Sequence, residues 1–386
     1  MEDFFNIDSL LTSEEILIRD SVRQFVDKEV IPRIGQCFEN ATFHKPWIKQ
    51  LADLGLLGMT LPTEFGGSNA SHVAYGLVCQ ELERGDSGLR SFASVQSGLC
   101  MYPIFAYGSD EQKNHFLPMM AKGDCIGCFG LTEADSGSDP ASMKTTATKT
   151  EGGWRLNGSK LWITNATIAD IAIIWAKVDA KNVRGFIVEK TFSGFQTQEI
   201  KHKLSLRASV TGEISLQDCF VPDSHILPGT EKGLSTALAC LTKARAGIAW
   251  GAMGSAQACY EIALDYTKTR QQFGKPLAQF QLVQSSLVNM LCEIVKAQAL
   301  NLHLAKQQDN NEATFSMVSL AKMNACREAL KIAREARNLL GANGISLEYH
   351  IIRHMNNLES VFTYEGTDNM HHLIVGRHIT GLDAFA

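Results

Sequence analysis

The feature that most constrains the fold of this 386-residue chain is a double change in the spacing of its apolar residues. The first third has apolar residues at helical spacing, and a capping-box pattern at residues 12–15 predicts the start of a helix. From about residue 128 to 228, short β-branched and aromatic runs alternate with Gly, Asn and Asp, which is typical of antiparallel strands. From about residue 235 the helical spacing returns. Because no helical pattern interrupts the middle part, a barrel or sandwich is favoured over a parallel α/β sheet.

This order predicts three domains: a helical N-terminal domain (1–127), a β-barrel middle domain (128–234) and a helical-bundle C-terminal domain (235–386). In the first domain, helices are expected near residues 46–57 and 72–84. In the middle domain, Asn157-Gly158 lies between two strand-like runs and predicts a hairpin turn. In the last domain, helical patterns at 244–269, 279–308, 312–340 and 370–380 predict a four-helix bundle.

Composition and charge exclude several classes of protein. With 36 Lys+Arg and 41 Asp+Glu, the net charge of −5 offers no basic surface for nucleic acid or for anionic membranes. The charge-free stretch 91–109 contains serines, a glutamine and a proline, so it is too polar for a membrane-spanning helix. The acidic start lacks the features of a secretory signal. We therefore expect a bacterial cytoplasmic protein, or a processed protein of the mitochondrial matrix.

Neither the cysteines nor the histidines predict a metal site. Of ten cysteines, only Cys125 and Cys128 form a C-x-x-C pair, and no second pair follows at a zinc-site spacing. His350 and His354 are four residues apart, and His371 and His372 are adjacent, which raises the question of a metal ion. Most histidines in such positions are solvated or hydrogen-bonded, so we predict no metal, and we interpret the cysteines as small buried apolar residues.

Familiar catalytic motifs are absent, but three segments are hard to explain by packing alone. The chain has no G-x-G-x-x-G fingerprint, P-loop, H-E-x-x-H or G-x-S-x-G. Residues 129–139 run from a strand into a loop of hydroxyl and small residues, suited to binding a polar ligand. Residues 162–165 place an aromatic and a hydroxyl where a planar ring can lie against them. Residues 364–367 place Glu365 between an aromatic residue and a glycine, as a candidate base with a raised pKa.

These segments, together with residues 270–277 and 341–345, resemble the acyl-CoA dehydrogenase family over essentially the whole chain. The resemblance implies a helical domain, a β-barrel domain and a helical bundle, with FAD bound non-covalently. It also implies a homotetramer in which residues 270–274 reach the FAD of a neighbouring subunit, and transfer of electrons to an electron-transfer flavoprotein. The implied FAD-binding residues are Phe129, Leu131, Thr132, Gly137, Ser138, Trp162, Ile163, Thr164, Arg270, Gln272, Phe273, Gln281, Leu340, Gly341 and Thr367.

Within the family, the chain looks most like the glutaryl-CoA dehydrogenases. Those enzymes have an arginine where Arg90 stands, and apolar neighbours such as Phe92 make a solvated position a poor fit. Glu83, seven residues earlier, would lie on the same face if the helix continued to Arg90, and there it could hold the guanidinium. Residues 203–209 and 244–250 strengthen the match. The implied substrate-binding residues are Glu83, Arg90, Ser91, Ser138, Arg245, Tyr364 and Gly366, with Glu365 as the catalytic base.

The expected reaction is the FAD-dependent oxidation of glutaryl-CoA to crotonyl-CoA and CO2, as in lysine and tryptophan degradation. Tyr364 and Thr164 resemble the residues of decarboxylating members, where non-decarboxylating relatives have apolar residues. Asp368-Asn369 departs from the family's usual His-Asp after the Glu-Gly-Thr motif. The alternatives are a dehydrogenase for another short-chain or dicarboxylic acyl-CoA, a glutaryl-CoA dehydrogenase that does not decarboxylate, and an inactive member that serves as a binding partner.

Overall fold

The computed structural model describes residues 3–179 and 182–384. The N-terminal part is helical, and the capping box of Thr12 and Glu15 begins its first α-helix. Two π-helical turns, Val26–Val30 and Val95–Met101, continue neighbouring helices. The α-helices of this part are α1 (Ser13–Phe25), α2 (Ile31–Asn40), α3 (Pro46–Asp53), α4 (His72–Gly85), α5 (Ser87–Ser94), α6 (Tyr102–Tyr107) and α7 (Asp110–Ala121).

A break between α4 and α5 agrees with the helix predicted at residues 72–84, so Glu83 and Arg90 lie in two separate helices. Asp86 has extended backbone, and its carboxylate accepts a hydrogen bond from the N–H of Gly88 at 2.7 Å. Asp at an N-cap position favours the start of a new helix, which explains the break. The buried Asp86 carboxylate also binds two residues of the C-terminal part, Arg353 and Asn357. The backbone conformation at the break is therefore stabilised by side chains from the C-terminal part.

The middle part is an open half-barrel of seven strands, which confirms the strand-rich domain. Six strands follow the order β1-β4-β2-β3-β7-β6, and β5 pairs with β4. The pairs are antiparallel except for the parallel contacts of β4 with β1 and β2. The strands are β1 (Gly127–Gly130), β2 (Thr146–Thr150), β3 (Gly153–Thr164), β4 (Ile171–Lys177), β5 (Val183–Glu189), β6 (Phe195–Glu199) and β7 (Thr211–Pro222).

The hairpin turn predicted at Asn157-Gly158 is wrong, because β3 continues through both residues. Gly158 lies at an irregularity in the β3–β7 register and has φ of 149°, while the Asn157 side chain accepts a hydrogen bond from the N–H of Asp218. The turn between β2 and β3 occurs instead at Gly152, with φ of 70°. Asn157-Gly158 thus lies within β3 opposite an extra residue in β7, where Gln217 and Asp218 face Asn157 alone.

The C-terminal part contains the predicted long helices and one helix that the sequence pattern did not reveal. They pack around a core of Ala, Leu, Ile and Met side chains. The unpredicted helix, α11, follows the left-handed residue His350 and contains two asparagines, which favour the helix weakly. The helices are α8 (Leu234–Thr269), α9 (Gln281–Asp309), α10 (Phe315–Leu339), α11 (Ile351–Thr363) and α12 (Asp368–Thr380). A short hairpin, β8 (Gln271–Gln272) and β9 (Lys275–Pro276), lies between α8 and α9.

The close crossing of α4 and α8 depends on glycine. A Cβ on Gly254 would overlap the backbone carbonyl of Gln80. We expect Gly254→Ala to lower the free energy of unfolding by about 1–3 kcal/mol, because overpacking displaces a backbone. The measurement is the thermal unfolding midpoint. The matched control is Gly376→Ala in α12, where a Cβ meets nothing within 4 Å and should leave stability unchanged or slightly raised. Equal midpoints for the two variants would contradict the tight crossing.

In residues 3–179 and 182–384, every helix is too short or too polar to cross a membrane.

Candidate functional site

A cavity of about 1370 Å³ lies where the three parts of the chain meet. Its walls come from α5, the loop after β1, the end of β3, α8, and the loop between α11 and α12. The structure brings fourteen of the predicted site residues to this cavity. They are Ser91, Phe129, Leu131, Thr132, Gly137, Ser138, Trp162, Ile163, Thr164, Arg245, Tyr364, Glu365, Gly366 and Thr367.

Eight predicted site residues do not line this cavity. Glu83 and Arg90 are buried directly behind its wall. The other six lie at the β8–β9 hairpin, at the first turn of α9 and at the end of α10: Arg270, Gln272, Phe273, Gln281, Leu340 and Gly341. Phe273, at the tip of the hairpin, is 92% exposed. Contact of these six residues with a neighbouring subunit's FAD stays a prediction.

Glu365 is the carboxylate best placed for proton transfer in this cavity. It follows the end of α11, and its backbone is left-handed, with φ of 52°. Its carbonyl accepts a hydrogen bond from Arg245 Nε at 2.6 Å, and its buried Oε2 has no hydrogen-bond partner among the described residues. Burial raises the pKa of Glu365, and the charges of Arg90, Arg245 and Lys322 oppose that rise. A buried, unpartnered carboxylate with a raised pKa is suited to removing a proton.

Arg90 forms a buried network behind the cavity wall. Its Nε donates to Glu83 Oε2 at 2.5 Å, and its Nη1 donates to Ser94 Oγ at 3.2 Å. Its Nη2 donates to the hydroxyl of Tyr364, which lines the cavity one residue before Glu365. Glu83 also accepts a hydrogen bond from Ser87 Oγ at 2.9 Å. The expected Glu83–Arg90 contact is therefore present despite the break between their helices.

The loop after β1 and the end of β3 form a surface suited to a planar, polar group. Trp162 has φ of 63° at a register shift in β3, and it is 58% exposed where it lines the cavity. Gly137 faces open space, since an added Cβ would meet nothing within 4 Å. The hydroxyls of Thr132, Ser138 and Thr164 lie along the same wall. An open glycine, a flat indole and hydroxyl donors fit a ring system that carries polar edges.

A buried ion pair fixes the start of this loop. The Glu133 carboxylate accepts hydrogen bonds from Lys160 Nζ at 2.8 Å and from the backbone N–H groups of Lys144 and Thr145 at 2.6 and 3.0 Å. Burial raises the pKa of Glu133, but these donors outweigh it and bring the pKa down to about 2. The loop residues that line the cavity are thus held by a carboxylate that stays ionised.

Two buried residues beside Glu365 were missed by the sequence reasoning. Lys322 lies on the inner face of α10 and hydrogen-bonds to backbone carbonyls around Glu365. His371 lies in α12 against Gly366, and burial lowers the pKa of His371 to about 3, so its ring is neutral. The signal for Lys322 was available, because a lysine there interrupts the apolar face of α10, where Val318, Ala325 and Cys326 are buried.

The departure at Asp368 has a local structural role. Asp368 begins α12 after the N-cap Thr367, whose hydroxyl accepts from the N–H of Met370 at 3.3 Å. Its carboxylate binds Arg327 at 2.9 Å. A carboxylate in the first turn of a helix is favourable toward the helix dipole. Asp368 therefore stabilises the helix that follows the loop of Glu365.

The described residues contain no cluster of three or more His, Cys, Asp or Glu side chains placed to hold a metal ion. Cys125 and Cys128 are buried in two separate apolar clusters. His354 hydrogen-bonds to Ser255 and Arg353 instead of facing His350 across a site.

Comparisons with known proteins agree with this geometry. Profiles of the acyl-CoA dehydrogenase N-terminal, middle and C-terminal domains match residues 12–124, 128–219 and 231–380. A glutaryl-CoA dehydrogenase structure from Mycobacterium smegmatis is 50% identical, with a TM-score of 0.98, over 100% of this chain and 99% of that chain. A second such structure, in complex with FADH2, is 49% identical, with the same TM-score and coverage. The mitochondrial short-chain specific acyl-CoA dehydrogenase of Homo sapiens is 32% identical over 94% of this chain and 89% of that protein.

Proposed function

This chain belongs to the acyl-CoA dehydrogenase family, and on that premise we propose that it oxidises and decarboxylates glutaryl-CoA to crotonyl-CoA and CO2. The observation that carries the choice of substrate is Arg90, a buried guanidinium bound to the hydroxyl of Tyr364 in the cavity wall, one residue from the base. A free carboxylate placed beside the Tyr364 hydroxyl would be attracted by the guanidinium, whereas an uncharged acyl chain gains nothing from that charge. The glutaryl-CoA dehydrogenase from Mycobacterium smegmatis, which is 50% identical to this chain, supports the same choice of substrate.

FAD is the cofactor of this chain, and the wall formed by Trp162, Gly137 and the loop hydroxyls fits its ring system. When bound, FAD supplies an acceptor for a hydride. Trp162 would lie against the flavin, and Thr132, Ser138 and Thr164 would offer hydroxyls to its polar edge.

Glu365 would remove a proton from the carbon α to the thioester while the β hydrogen leaves with its electron pair. A C–H beside a thioester is a weak acid, so the developing oxyanion needs fixed donors, and backbone N–H groups beside Glu365 would supply them. Apolar residues such as Val95 and Leu99 line the cavity and exclude water from the base. The raised pKa of Glu365 makes it a stronger base than an exposed carboxylate.

Decarboxylation would follow from the position of the substrate's free carboxylate. After oxidation, that carboxylate is vinylogous to the thioester carbonyl, so the electrons released with CO2 are delocalised into a dienolate. Protonation of the dienolate gives crotonyl-CoA. Tyr364 and Thr164 line the cavity and would orient the leaving carboxylate with their hydroxyls.

Electrons would then pass to an electron-transfer flavoprotein, and the active form would be a homotetramer. The family resemblance implies an intersubunit role for the β8–β9 hairpin, and the exposure of Phe273 at its tip leaves the hairpin accessible to a neighbouring subunit. A bacterial cytoplasm or a mitochondrial matrix is the proposed compartment, and degradation of lysine and tryptophan the proposed pathway.

A second candidate is a dehydrogenase for another short-chain or dicarboxylic acyl-CoA. One observation favours it: Arg90 is already paired with Glu83 and does not itself line the cavity. A glutaryl-CoA dehydrogenase that stops at glutaconyl-CoA is the third possibility. An inactive binding partner is a poorer fit, because Glu365 is buried beside the cavity with a free oxygen.

The test is a dye-reduction assay of the purified protein with glutaryl-, butyryl-, hexanoyl- and adipyl-CoA, with the product mass measured. We expect glutaryl-CoA to give the highest kcat/KM and crotonyl-CoA to be released. Release of glutaconyl-CoA would contradict decarboxylation while leaving the oxidation in place. Preference for butyryl-CoA would favour the second candidate, and a flavin that no acyl-CoA reduces would favour the inactive partner.

A further inference from the structure

Lys322 is a buried lysine directly beneath the loop that carries Glu365. Its side chain is 1% exposed, and its Nζ donates to the carbonyl oxygens of Tyr364 at 2.9 Å and Gly366 at 2.8 Å. A longer contact of 3.4 Å joins it to the carbonyl of Phe362. The two strongest bonds are therefore to the residues immediately before and after Glu365.

The loop needs such donors because of its own backbone. α11 ends at Thr363, and the last carbonyl groups of a helix have no intrahelical partner. Glu365 and Gly366 then take positive φ values of 52° and 105°, and a non-glycine residue in that region is strained. Lys322 and Arg245 together bind the carbonyls of residues 364, 365 and 366. The strained conformation is thus fixed from two sides by cations.

Packing alone does not explain a lysine at this position. In the part of the chain that the structure describes, no carboxylate is within ion-pair distance of Lys322 Nζ. Burying an ammonium without a carboxylate partner is costly, and burial lowers the pKa of Lys322. A leucine or methionine would fill the same space on α10 without that cost, so the ammonium group itself must serve the loop.

We propose that Lys322 is a positioning residue that holds the loop of Glu365 in its reactive conformation and keeps the base carboxylate ionised. This inference rests on Glu365 being the base. The ammonium acts through the backbone and through its charge, without touching the substrate. Removing it would release two carbonyls next to Glu365 and take one positive charge away from the carboxylate.

The effect of the charge has a definite sign. The positive charge of Lys322 lowers the pKa of Glu365 and so opposes the rise caused by burial. Without that charge the pKa rises further, and more of the base is protonated at a given pH. The acidic limb of kcat/KM should then move to higher pH, because that limb reports the base of the free enzyme. Other titratable groups also face the loop: Glu83 of α4, Arg90 of α5, Arg245 of α8, Cys326 of α10, and Asp368 and His371 of α12.

The experiment compares Lys322→Met and Lys322→Gln in the holoenzyme, with glutaryl-CoA as substrate. Methionine keeps most of the length and removes the donors and the charge, while glutamine is also shorter but keeps a donor without the charge. For Lys322→Met we expect kcat to fall by about a hundredfold, as a misplaced reacting group typically costs. KM and the FAD content should change little, and the acidic limb should move to higher pH. For Lys322→Gln we expect a smaller loss of kcat with the same displacement of the limb.

Hydrogen–deuterium exchange supplies a readout that does not depend on turnover. Peptides that cover residues 360–370 should exchange faster in Lys322→Met, because the loop has lost its support. The matched control is Lys331→Met on the same helix, where the lysine is exposed and pairs with Glu328 at 2.8 Å. That variant should leave kcat, the pH limb and the exchange unchanged.

Three results would overturn the proposal. The first is a Lys322→Met variant with wild-type kcat and an unchanged acidic limb in the pH profile of kcat/KM. The second is a loss of kcat in both variants while the acidic limb stays at its wild-type pH, which would indicate a merely structural role. The third is an equal effect of Lys331→Met. If Lys322→Met loses FAD or unfolds, the proposal is judged by whether the acidic limb of the kcat/KM profile moves to higher pH in Lys322→Gln. Failure of the base assignment is recognised separately, by a Glu365→Gln variant that still turns over.

Discussion

Replacing Glu365 with glutamine is expected to abolish substrate-driven bleaching of the flavin while FAD and acyl-CoA stay bound. The amide keeps the shape of the side chain and removes its basicity, so only proton transfer should fail. We expect the rate of flavin reduction to fall by about 10⁴-fold, the upper range for loss of a general base. The measurement is stopped-flow absorbance with glutaryl-CoA, with binding measured separately by the perturbation of the flavin spectrum.

The chain offers a matched control for this variant. Glu359 is a second glutamate that lines the same cavity, but it is exposed and pairs with Arg334 at 2.7 Å. Glu359→Gln should reduce its flavin at close to the wild-type rate. If Glu365→Gln is also reduced at that rate, the base has been assigned to the wrong carboxylate.

Removing the charge of Arg90 should reduce selectivity for glutaryl-CoA over butyryl-CoA by about a hundredfold, or roughly 3 kcal/mol. Only glutaryl-CoA would leave a carboxylate without a partner in the cavity. The forked guanidinium can bind a carboxylate through two donors, so Arg90→Lys should recover only part of the selectivity. The measurement is kcat/KM for both substrates with wild-type protein, Arg90→Ala and Arg90→Lys.

Arg90→Ala also leaves Glu83 buried without its cation, so loss of stability must be separated from loss of recognition. The double variant Glu83→Gln/Arg90→Met removes both charges and keeps the volume. It should fold and show the same loss of selectivity as Arg90→Ala. Equal losses for both substrates would mean that Arg90 supports the fold or the CoA moiety, and the substrate would revert to a general short-chain acyl-CoA.

Sequence patterns predicted the long elements well because periodicity extends over many residues there. The helices at 13–25, 72–85 and 281–309 and the strand at 171–177 have strong apolar patterns that tertiary contacts reinforce. The predictions failed where one or two residues decide the backbone. Asn157-Gly158 has a local preference for a turn, but pairing with β7 keeps both residues inside β3. The break at Asp86 agrees with the helix predicted to end at residue 84, but the buried contact of Asp86 with Arg353, 267 residues later, has no signal in the sequence pattern.

The residues of the candidate site also fall into those that the sequence indicated and those that it did not. Motifs that are contiguous in sequence, such as residues 162–164 and 364–367, line one cavity in the structure. Residues at the β8–β9 hairpin lie away from the cavity of their own chain, and a single sequence does not reveal what they contact. Periodicity marks Lys322 as a lysine on the apolar face of α10, but it does not reveal that the ammonium binds a loop more than forty residues later.

The buried contacts of Asp86 have a consequence for the range of substrates. Asp86 is the N-cap of α5, which carries Arg90, and it binds Arg353 and Asn357 of α11, whose end leads to Glu365. The group proposed to recognise the far end of the substrate and the group proposed to react at its near end are therefore connected through the buried contacts of Asp86. A hinge motion between the helical parts would have to break the contacts of Asp86 before it changed the distance between these two groups. Acceptance of a longer diacid would then require a change in α5 itself, because the distance between Arg90 and Glu365 limits the length of the substrate.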